Sequence, residues 1–316
     1  MTLQGVRLGL GLTQLGRRWG VRASDVPSDN DASALLSAAV ASGIRVFDTA
    51  PSYGSSERRF GEFLGARSTA TRASLVVMTK CGEGWDDARS QPVVNHRYDA
   101  LVESIDRSLQ RLGTIDVLQV HRADVSVLRS RDLRRALSYA RAAGIHTIGA
   151  SVSDIASATV AIGELGVALL QFPYSRGNEY MHDAFRLAQS ARCAVVVNRP
   201  LGMGRVVHEV ERDMRPETDP ETDPETDPDT DPDTKPDTEQ DMEHHADPLA
   251  VRAAQLASDR VSAAFSFVLG ESFRGVVLCG TSCIEHLRMN IACFARARHD
   301  CGGSTGGATR SPGTPR

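Results

Sequence analysis

Lysine is almost absent from this sequence. Only two of its 36 basic residues are lysines, and arginine supplies the rest of the positive charge. Lys235 lies in a repetitive acidic tract, whereas Lys80 directly follows the strand-like run 75–79. Arginine is a poor substitute where a compact charge must fit into a tight site. The scarcity therefore indicates that Lys80 is required for the chemistry of its ammonium group.

Cysteine pairs at metal-binding or redox spacing are also missing. None of the six cysteines forms a CxxC pair, and most lie in apolar segments. Buried, reduced thiols are the simplest interpretation, and they are typical of a cytoplasmic protein. His244 and His245 adjoin the acidic tract and could chelate a divalent ion, but a solvated loop explains them better. We therefore expect no bound metal.

Long apolar runs are missing as well. No run reaches the roughly 18 apolar residues that a membrane span requires. Residues 1–16 place an arginine inside a short apolar stretch and show no cleavage-site pattern. The sequence thus predicts neither a signal peptide nor a membrane partner.

Negative charge is concentrated in one segment. Residues 216–241 hold twelve acidic residues and one lysine, which gives this segment a net charge of −11. The whole chain has a net charge of −4, so the residues outside the segment carry +7. This excess suits an anionic cofactor, although a solvated, arginine-rich surface would give the same total. We expect no nucleic-acid partner.

The same segment predicts a break in the fold. It repeats four residues with a proline in each repeat and holds no apolar side chain to bury, which predicts a disordered acidic loop insertion. The Gly-, Ser-, Thr- and Pro-rich end 300–316 predicts a disordered tail. Residues 1–299 are then one domain, interrupted by 216–241.

Strand-like runs and helical segments alternate along that domain. Eight βα units in a chain of this size favour a closed (β/α)8 TIM barrel over an open sheet. The predicted strands lie at 8–12, 44–47, 75–79, 115–120, 146–151, 167–172, 193–197 and 276–279, and the predicted helices at 31–42, 55–64, 98–112, 131–143, 154–164, 179–191, 248–269 and 284–297.

Four polar residues follow three successive predicted strands. Asp48 and Tyr53 come after 44–47, Lys80 after 75–79 and His121 after 115–120. Alone, such an Asp is commonly a helix cap, and such a Tyr or His is commonly a packing residue. Because parallel barrels build their active sites at the carboxyl ends of the strands, the four together indicate one catalytic site.

The residues around these four positions resemble the aldo/keto reductase family. Segments 47–57, 79–80 and 108–116, the last leading to His121, look like that family's signatures. The resemblance runs from about residue 8 to 297, without the acidic insertion. It implies an (α/β)8 barrel, nicotinamide-dependent carbonyl reduction and a catalytic tetrad of Asp48, Tyr53, Lys80 and His121.

The chemistry of the tetrad can also be argued from the side chains. Reduction of a carbonyl by hydride needs a proton donor for the developing alkoxide, and Tyr53 can donate. A nearby ammonium on Lys80 stabilises the phenolate that remains. Asp48 would hold that ammonium in place, and His121 would orient the carbonyl by a hydrogen bond.

The resemblance also implies a site for NADP(H), with NAD(H) as the alternative. Ser151 and Gln171 match positions that bind the nicotinamide carboxamide, 198–204 resembles the pyrophosphate loop, and 280–290 resembles the adenosine-phosphate segment. Val152 stands where the family usually has Asn, and Asn198 where it often has a stacking aromatic. Gly280 and His286 stand where many members have Lys and Arg. The implied cofactor residues are Ser151, Gln171, Asn198, Pro200, Leu201, Gly202, Gly204, Gly280, Thr281, Ser282, His286 and Asn290.

The expected substrate is a small carbonyl compound or sugar, with Trp19 and Trp85 as candidate contacts because their loops border the predicted pocket.

Two alternatives remain open. Segment 47–61 resembles the branch that includes aldose 1-dehydrogenases, which implies sugar oxidation. A cofactor-binding regulatory protein with little turnover, similar to the reductase-fold subunits of ion channels, would use the acidic tract as a docking arm. A third class, the metal-dependent barrel hydrolases, is disfavoured. It would need several His and Asp ligands at strand ends, and Lys80 beside Tyr53 argues against it.

Overall fold

Eight parallel strands form the centre of the fold. The computed structural model describes residues 5–21, 25–213 and 248–303, so the predicted insertion 216–241 and most of the predicted tail lie outside the described residues. The strands are β1 Val6–Gly11, β2 Val46–Asp48, β3 Val76–Cys81, β4 Glu83–Asp86, β5 Gln91–Val94, β6 Val117–Val120, β7 Thr147–Ser151, β8 Leu169–Pro173, β9 Ala194–Asn198 and β10 Gly275–Gly280. All except β4 and β5 close into a barrel in chain order, with β10 pairing with β1. The predicted TIM barrel is confirmed.

Helices follow the barrel strands along the chain. They are α1 Asp29–Ala41, α2 Ser56–Gly65, α3 Thr69–Ala73, α4 Tyr98–Leu112, α5 Val125–Arg129, α6 Arg131–Ala142, α7 Ile155–Gly163, α8 His182–Ser190, α9 Arg205–Asp213, α10 Pro248–Leu269 and α11 Ile284–Gly303. Within the described ranges, no helix is both long and apolar enough to cross a membrane.

The boundaries agree with the sequence prediction in most places. The bounds of α4 and α10 are those predicted, and the barrel-strand boundaries differ from the predicted ones by up to two residues. Four elements were not predicted: the antiparallel hairpin β4–β5 and the helices α3, α5 and α9. Helix α11 continues to Gly303, six residues beyond its predicted end and into the predicted tail.

Capping residues explain where several helices begin and end. The Ser28 side chain accepts from the backbone N–H of Asp31 before α1, and Asp154 accepts from that of Ser157 before α7. Such a cap contributes about 1 kcal/mol. Gly113 ends α4 in the left-handed region (φ 71°), which a residue with a Cβ rarely adopts.

Two apolar layers make up the core. One layer lies between the strands and the helices, and the other fills the barrel interior. Because side chains alternate across a strand, the interior is lined by every second residue. The interior layer consists of Val46, Met78, Val117, Leu169, Val196, Val276 and Leu278, all buried.

A close backbone contact fixes the loop that carries Tyr53. A Cβ built on Gly16 would lie only 1.8 Å from the backbone oxygen of Tyr53, and the Ser55 N–H donates to the Gly16 oxygen. Only glycine allows this approach. The loops after β1 and β2 are therefore packed backbone against backbone.

A buried carboxylate joins three elements on the outside of the barrel. Glu57 of α2 is fully buried and accepts hydrogen bonds from Thr79 of β3 (2.7 Å) and Ser108 of α4 (2.7 Å). Its second oxygen accepts from Arg111 of α4 at 3.1 Å. The charge is thus paired, as a buried carboxylate requires.

Arg111→Met should lower the free energy of unfolding by about 1.5 kcal/mol, because it removes a charge-assisted hydrogen bond to a buried carboxylate. The partial exposure of Arg111 keeps the loss from being larger. Urea unfolding measures the change. Arg107→Met is the control on the same helix, because Arg107 pairs with Glu103 at 3.5 Å between exposed side chains. Equal losses in both variants would contradict the role of Glu57.

Candidate active site

The inward-facing positions of the barrel change from apolar to polar at the carboxyl ends of the strands. Two residues beyond Val46, Met78 and Val117 along their strands come Asp48, Lys80 and Gln119. By the alternation of side chains these also face inward. All three polar side chains are buried. The polar layer therefore lies directly above the apolar interior.

The centre of this layer is a buried ion pair. The Lys80 Nζ donates to Asp48 Oδ2 at 2.5 Å and to the Thr49 backbone oxygen at 2.9 Å, and Lys80 is only 1% exposed. The other oxygen of Asp48 accepts from Gln119 Nε2 at 2.8 Å. Burial alone would lower the pKa of Lys80, but Asp48 and Tyr53 outweigh it and raise that pKa. Lys80 is therefore an ammonium at neutral pH.

The phenol ring of Tyr53 lies next to this ammonium. The Lys80 Nζ is 4.9 Å from the centre of the Tyr53 ring. The His121 ring meets the same phenol edge to face, with 6.1 Å between ring centres. The four residues predicted for the tetrad are thus brought together in space.

His121 has a carboxylate partner of its own. Its Nδ1 lies 3.0 Å from Glu83 Oε2 and 3.4 Å from Ser52 Oγ, and Glu83 also accepts from Arg122 Nε at 3.0 Å. Although burial opposes it, hydrogen bonds from His121, Ser52 and Arg122 lower the pKa of Glu83 to about 2. Because a carboxylate only accepts, Nδ1 carries the hydrogen.

The charge state of His121 follows from its surroundings. Burial lowers the pKa of His121, Lys80 lowers it further, and Glu83 and Asp48 oppose the change. At neutral pH the imidazole is therefore neutral. With its hydrogen on Nδ1, such a ring has an unprotonated Nε2 that accepts hydrogen bonds.

A cavity of about 590 Å³ opens above the polar layer, within the size range of small-molecule sites. Asp48, Tyr53 and His121 line it, whereas Lys80 lies behind them. Most of the predicted cofactor and substrate residues line it too: Trp19, Ser151, Gln171, Asn198, Pro200, Leu201, Gly204, Gly280, Thr281, Ser282, His286 and Asn290.

Two predicted residues do not line this cavity. Trp85 is carried by β4 of the unpredicted hairpin, where its ring packs near Arg17, with 5.9 Å from ring centre to guanidinium carbon. Gly202 occupies a left-handed turn position (φ 58°). Thr281 lines the cavity, but its hydroxyl is already bonded to the backbone N–H (3.0 Å) and oxygen (3.3 Å) of Cys283.

Several amide side chains in the cavity wall have unused acceptors. Gln171 Oε1, Asn198 Oδ1 and Asn290 Oδ1 are buried and have no hydrogen-bond partner among the described residues. Buried carbonyl oxygens are rarely left without a partner. The donor groups of a nicotinamide dinucleotide, whose carboxamide and ribose carry N–H and O–H groups, would satisfy them. The residues present therefore fit such a cofactor.

Some residues of the site were missed by the sequence analysis. Gln119 could have been found, since it lies two positions before His121 on an inward-facing row. Glu83 carried no usable signal, because its partner His121 is far along the chain. Arg17, Arg122 and Arg199 also line the cavity, but surface arginines are too common here to single out.

Comparison with known proteins is consistent with this geometry. The profile of the aldo/keto reductase family matches residues 7–300. The chain is 32% identical over 144 residues to versiconal hemiacetal acetate reductase of Aspergillus parasiticus (40% of this chain, 42% of that protein). It is 32% identical over 234 residues to pyridoxal 4-dehydrogenase of Microbacterium luteolum (60% and 65%). The chain thus spans less than two thirds of the length of either relative.

A solved structure shows the same fold. Glycerol dehydrogenase AKR11B4 from Gluconobacter oxydans superposes with a TM-score of 0.64, covering 100% of this chain and 96% of that one. Its sequence is 20% identical, so the likeness concerns the barrel alone.

Glu83→Gln should move the acidic limb of the pH profile of kcat/KM to lower pH. The carboxylate of Glu83 favours the imidazolium form of His121, against Lys80 and burial, so its removal lowers the pKa of His121. We expect the pH below which His121 is protonated to move downward, measured by NMR titration of its ring and by the pH dependence of kcat/KM. Asp86→Asn is the control, because Asp86 lies on the same strand, pairs with Arg89 and is not among the lining residues. An unchanged His121 titration would contradict the pairing.

Proposed function

The chain belongs to the aldo/keto reductase family, and on this premise we propose that it interconverts a carbonyl compound and the corresponding alcohol, with Tyr53 as the general acid/base. Members of this family generally carry out such oxidoreductions with NAD(P)H. The observation that supports the assignment to Tyr53 is its position on the cavity wall beside the buried ammonium of Lys80.

The proton transfer can be followed from the contacts of Tyr53. In reduction, its hydroxyl gives a proton to the carbonyl oxygen as negative charge develops there. At roughly 5 Å and an effective dielectric near 20, two unit charges attract by about 3 kcal/mol, which favours the phenolate left beside Lys80. In oxidation the same phenolate takes the proton of the alcohol.

The cofactor supplies the hydride, and the wall of the cavity would hold it. Gln171 and Ser151 are register partners on β8 and β7, which suits both of them to one carboxamide. Asn198 and the loop 200–204 would flank the pyrophosphate, and Thr281, Ser282 and Asn290 the adenosine end. We favour NADP(H), since the chain outside 216–241 carries a net charge of +7. NAD(H) is the alternative.

A second candidate is the oxidative direction, including oxidation of a sugar. The reacting hydroxyl gives its proton to Tyr53, so the unprotonated Nε2 of His121 can accept from a second hydroxyl, which a sugar carries. One relative is named as a reductase and another as a dehydrogenase. Steady-state rates in both directions, on aldehydes, ketones and sugars with both cofactors, decide between them.

Tyr53→Phe should lower the rate of reduction by about 10²-fold or more, because the ring stays and the proton donor is lost. Stopped-flow absorbance of NADPH measures the rate, and fluorescence titration should show a near-normal cofactor dissociation constant. Tyr139→Phe is the matched control, since that phenol bonds Asp106 on the outer helices and does not line the cavity. Near-normal turnover by Tyr53→Phe would refute the proposed acid.

A further inference from the structure

Two arginines on the cavity wall lack carboxylate partners. The acidic residues that line the cavity are Asp48 and Glu83, and both are engaged elsewhere, with Lys80 and with His121 and Arg122. Within the described residues, no carboxylate forms an ion pair with Arg17 or Arg199. Among the described residues, these two cationic groups of the cavity thus have no ion-pair partner.

Arg17 is the more buried of the two. Its Nη1 donates to the Ser52 backbone oxygen at 3.2 Å, but its Nε is buried and without a partner in the described part of the chain. Burial lowers the pKa of Arg17, Tyr53 and Glu83 oppose this change, and the nearby Arg122 and Arg199 add to it. A buried guanidinium donor without an acceptor is costly, and an anionic oxygen satisfies it best.

Arg199 contacts the same indole ring as Arg17, that of Trp19. Its guanidinium carbon is 5.3 Å from the centre of the Trp19 ring, and that of Arg17 is 4.7 Å from the same centre. The loops that carry them are joined, because the Val21 N–H donates to the Met203 oxygen at 3.1 Å. Arg199 also has a left-handed backbone (φ 56°), an uncommon conformation that is enriched at functional sites.

Arg17 lies at the reactive end of the cavity. The Arg17 guanidinium carbon is 5.6 Å from the centre of the Tyr53 ring. A molecule with one end at the Tyr53 hydroxyl thus has a neighbouring group within reach of Arg17.

We propose that Arg17 and Arg199 form an anion-binding subsite beside Tyr53, and that the substrate is a carbonyl compound or alcohol that also carries a carboxylate or phosphate group. The planar fork of arginine matches the two oxygens of such a group. The Trp19 ring, which lies against the Arg17 guanidinium, would hold that fork in place. The reaction itself rests on the proposed function, whereas binding of the anion does not.

A matched pair of aldehydes tests the preference. 4-Carboxybenzaldehyde and methyl 4-formylbenzoate share ring and aldehyde and differ in the negative charge. At low ionic strength we expect kcat/KM to favour the acid at least tenfold, and Arg17→Met to reduce that ratio about tenfold, the scale of one charge-assisted hydrogen bond. Arg199→Met should act in the same direction but less, because Arg199 is exposed. Glyceraldehyde 3-phosphate against glyceraldehyde distinguishes a phosphate from a carboxylate preference.

Arg18→Met is the control for charge alone. Arg18 is the neighbour of Arg17, is exposed, pairs with Asp25 at 2.5 Å and does not line the cavity. Its removal should leave the ratio unchanged. If the neutral aldehyde is reduced as well as the charged one, the subsite is refuted and the proposed function stands.

Binding without turnover gives a second test. The protein has two tryptophans, and both rings lie near Arg17, at 4.7 and 5.9 Å. Benzoate should therefore change the tryptophan fluorescence of the protein with NADP+ at lower concentration than benzamide, and Arg17→Met should remove the difference. Equal affinities would overturn the subsite even if no aldehyde is turned over. If Arg17→Met weakens NADP+ binding and leaves benzoate binding intact, the arginines hold cofactor phosphate instead.

Discussion

The buried ammonium of Lys80 is the interaction on which the rest of the site depends. Removing a charge from water costs several kcal/mol, and good geometry with an opposite charge is needed to offset that cost. Here Asp48 at 2.5 Å and the Thr49 oxygen at 2.9 Å meet the requirement. Asp48 in turn accepts from Gln119, and Gln171 approaches it at 3.4 Å. Strands β2, β3, β6 and β8 are thereby tied to one charge, and Tyr53 is positioned above it.

The two acidic residues of the cavity have different roles because they have different partners. Asp48 is surrounded by donors inside the barrel and keeps Lys80 charged. Glu83 comes from the hairpin β4–β5, sets the tautomer of His121 and opposes the lowering of its pKa by burial and Lys80. Both carboxylates are thus paired with groups of the protein itself. The Arg17 Nε and the amide oxygens of Gln171, Asn198 and Asn290 have no partner among the described residues, and we propose that these groups bind ligands.

The barrel and the clustering of the four predicted residues could be predicted from sequence because both depend on short-range patterns. Alternation of strands and helices gives the fold, and inward-facing residues at strand ends give Asp48, Lys80 and His121. Helix α4 was predicted to its bounds, since its apolar residues are periodic and Gly113 follows it. The hairpin β4–β5 was not predicted, because its second strand is wholly exposed and shows no buried face. Glu83 and Trp85 depend on that hairpin, so neither the partner of His121 nor the position of Trp85 could be derived.

The most direct test of the account is the single-turnover rate of Lys80→Arg. Arginine keeps the positive charge but moves it outward on a larger planar group, which cannot fit between Asp48 and Tyr53 as the compact ammonium does. The account predicts a fold that stays intact by circular dichroism, near-normal binding of NADPH and a hydride-transfer rate lowered by about 10²-fold or more. A variant that keeps most of its rate would contradict it, because the charge at this position would then be exchangeable.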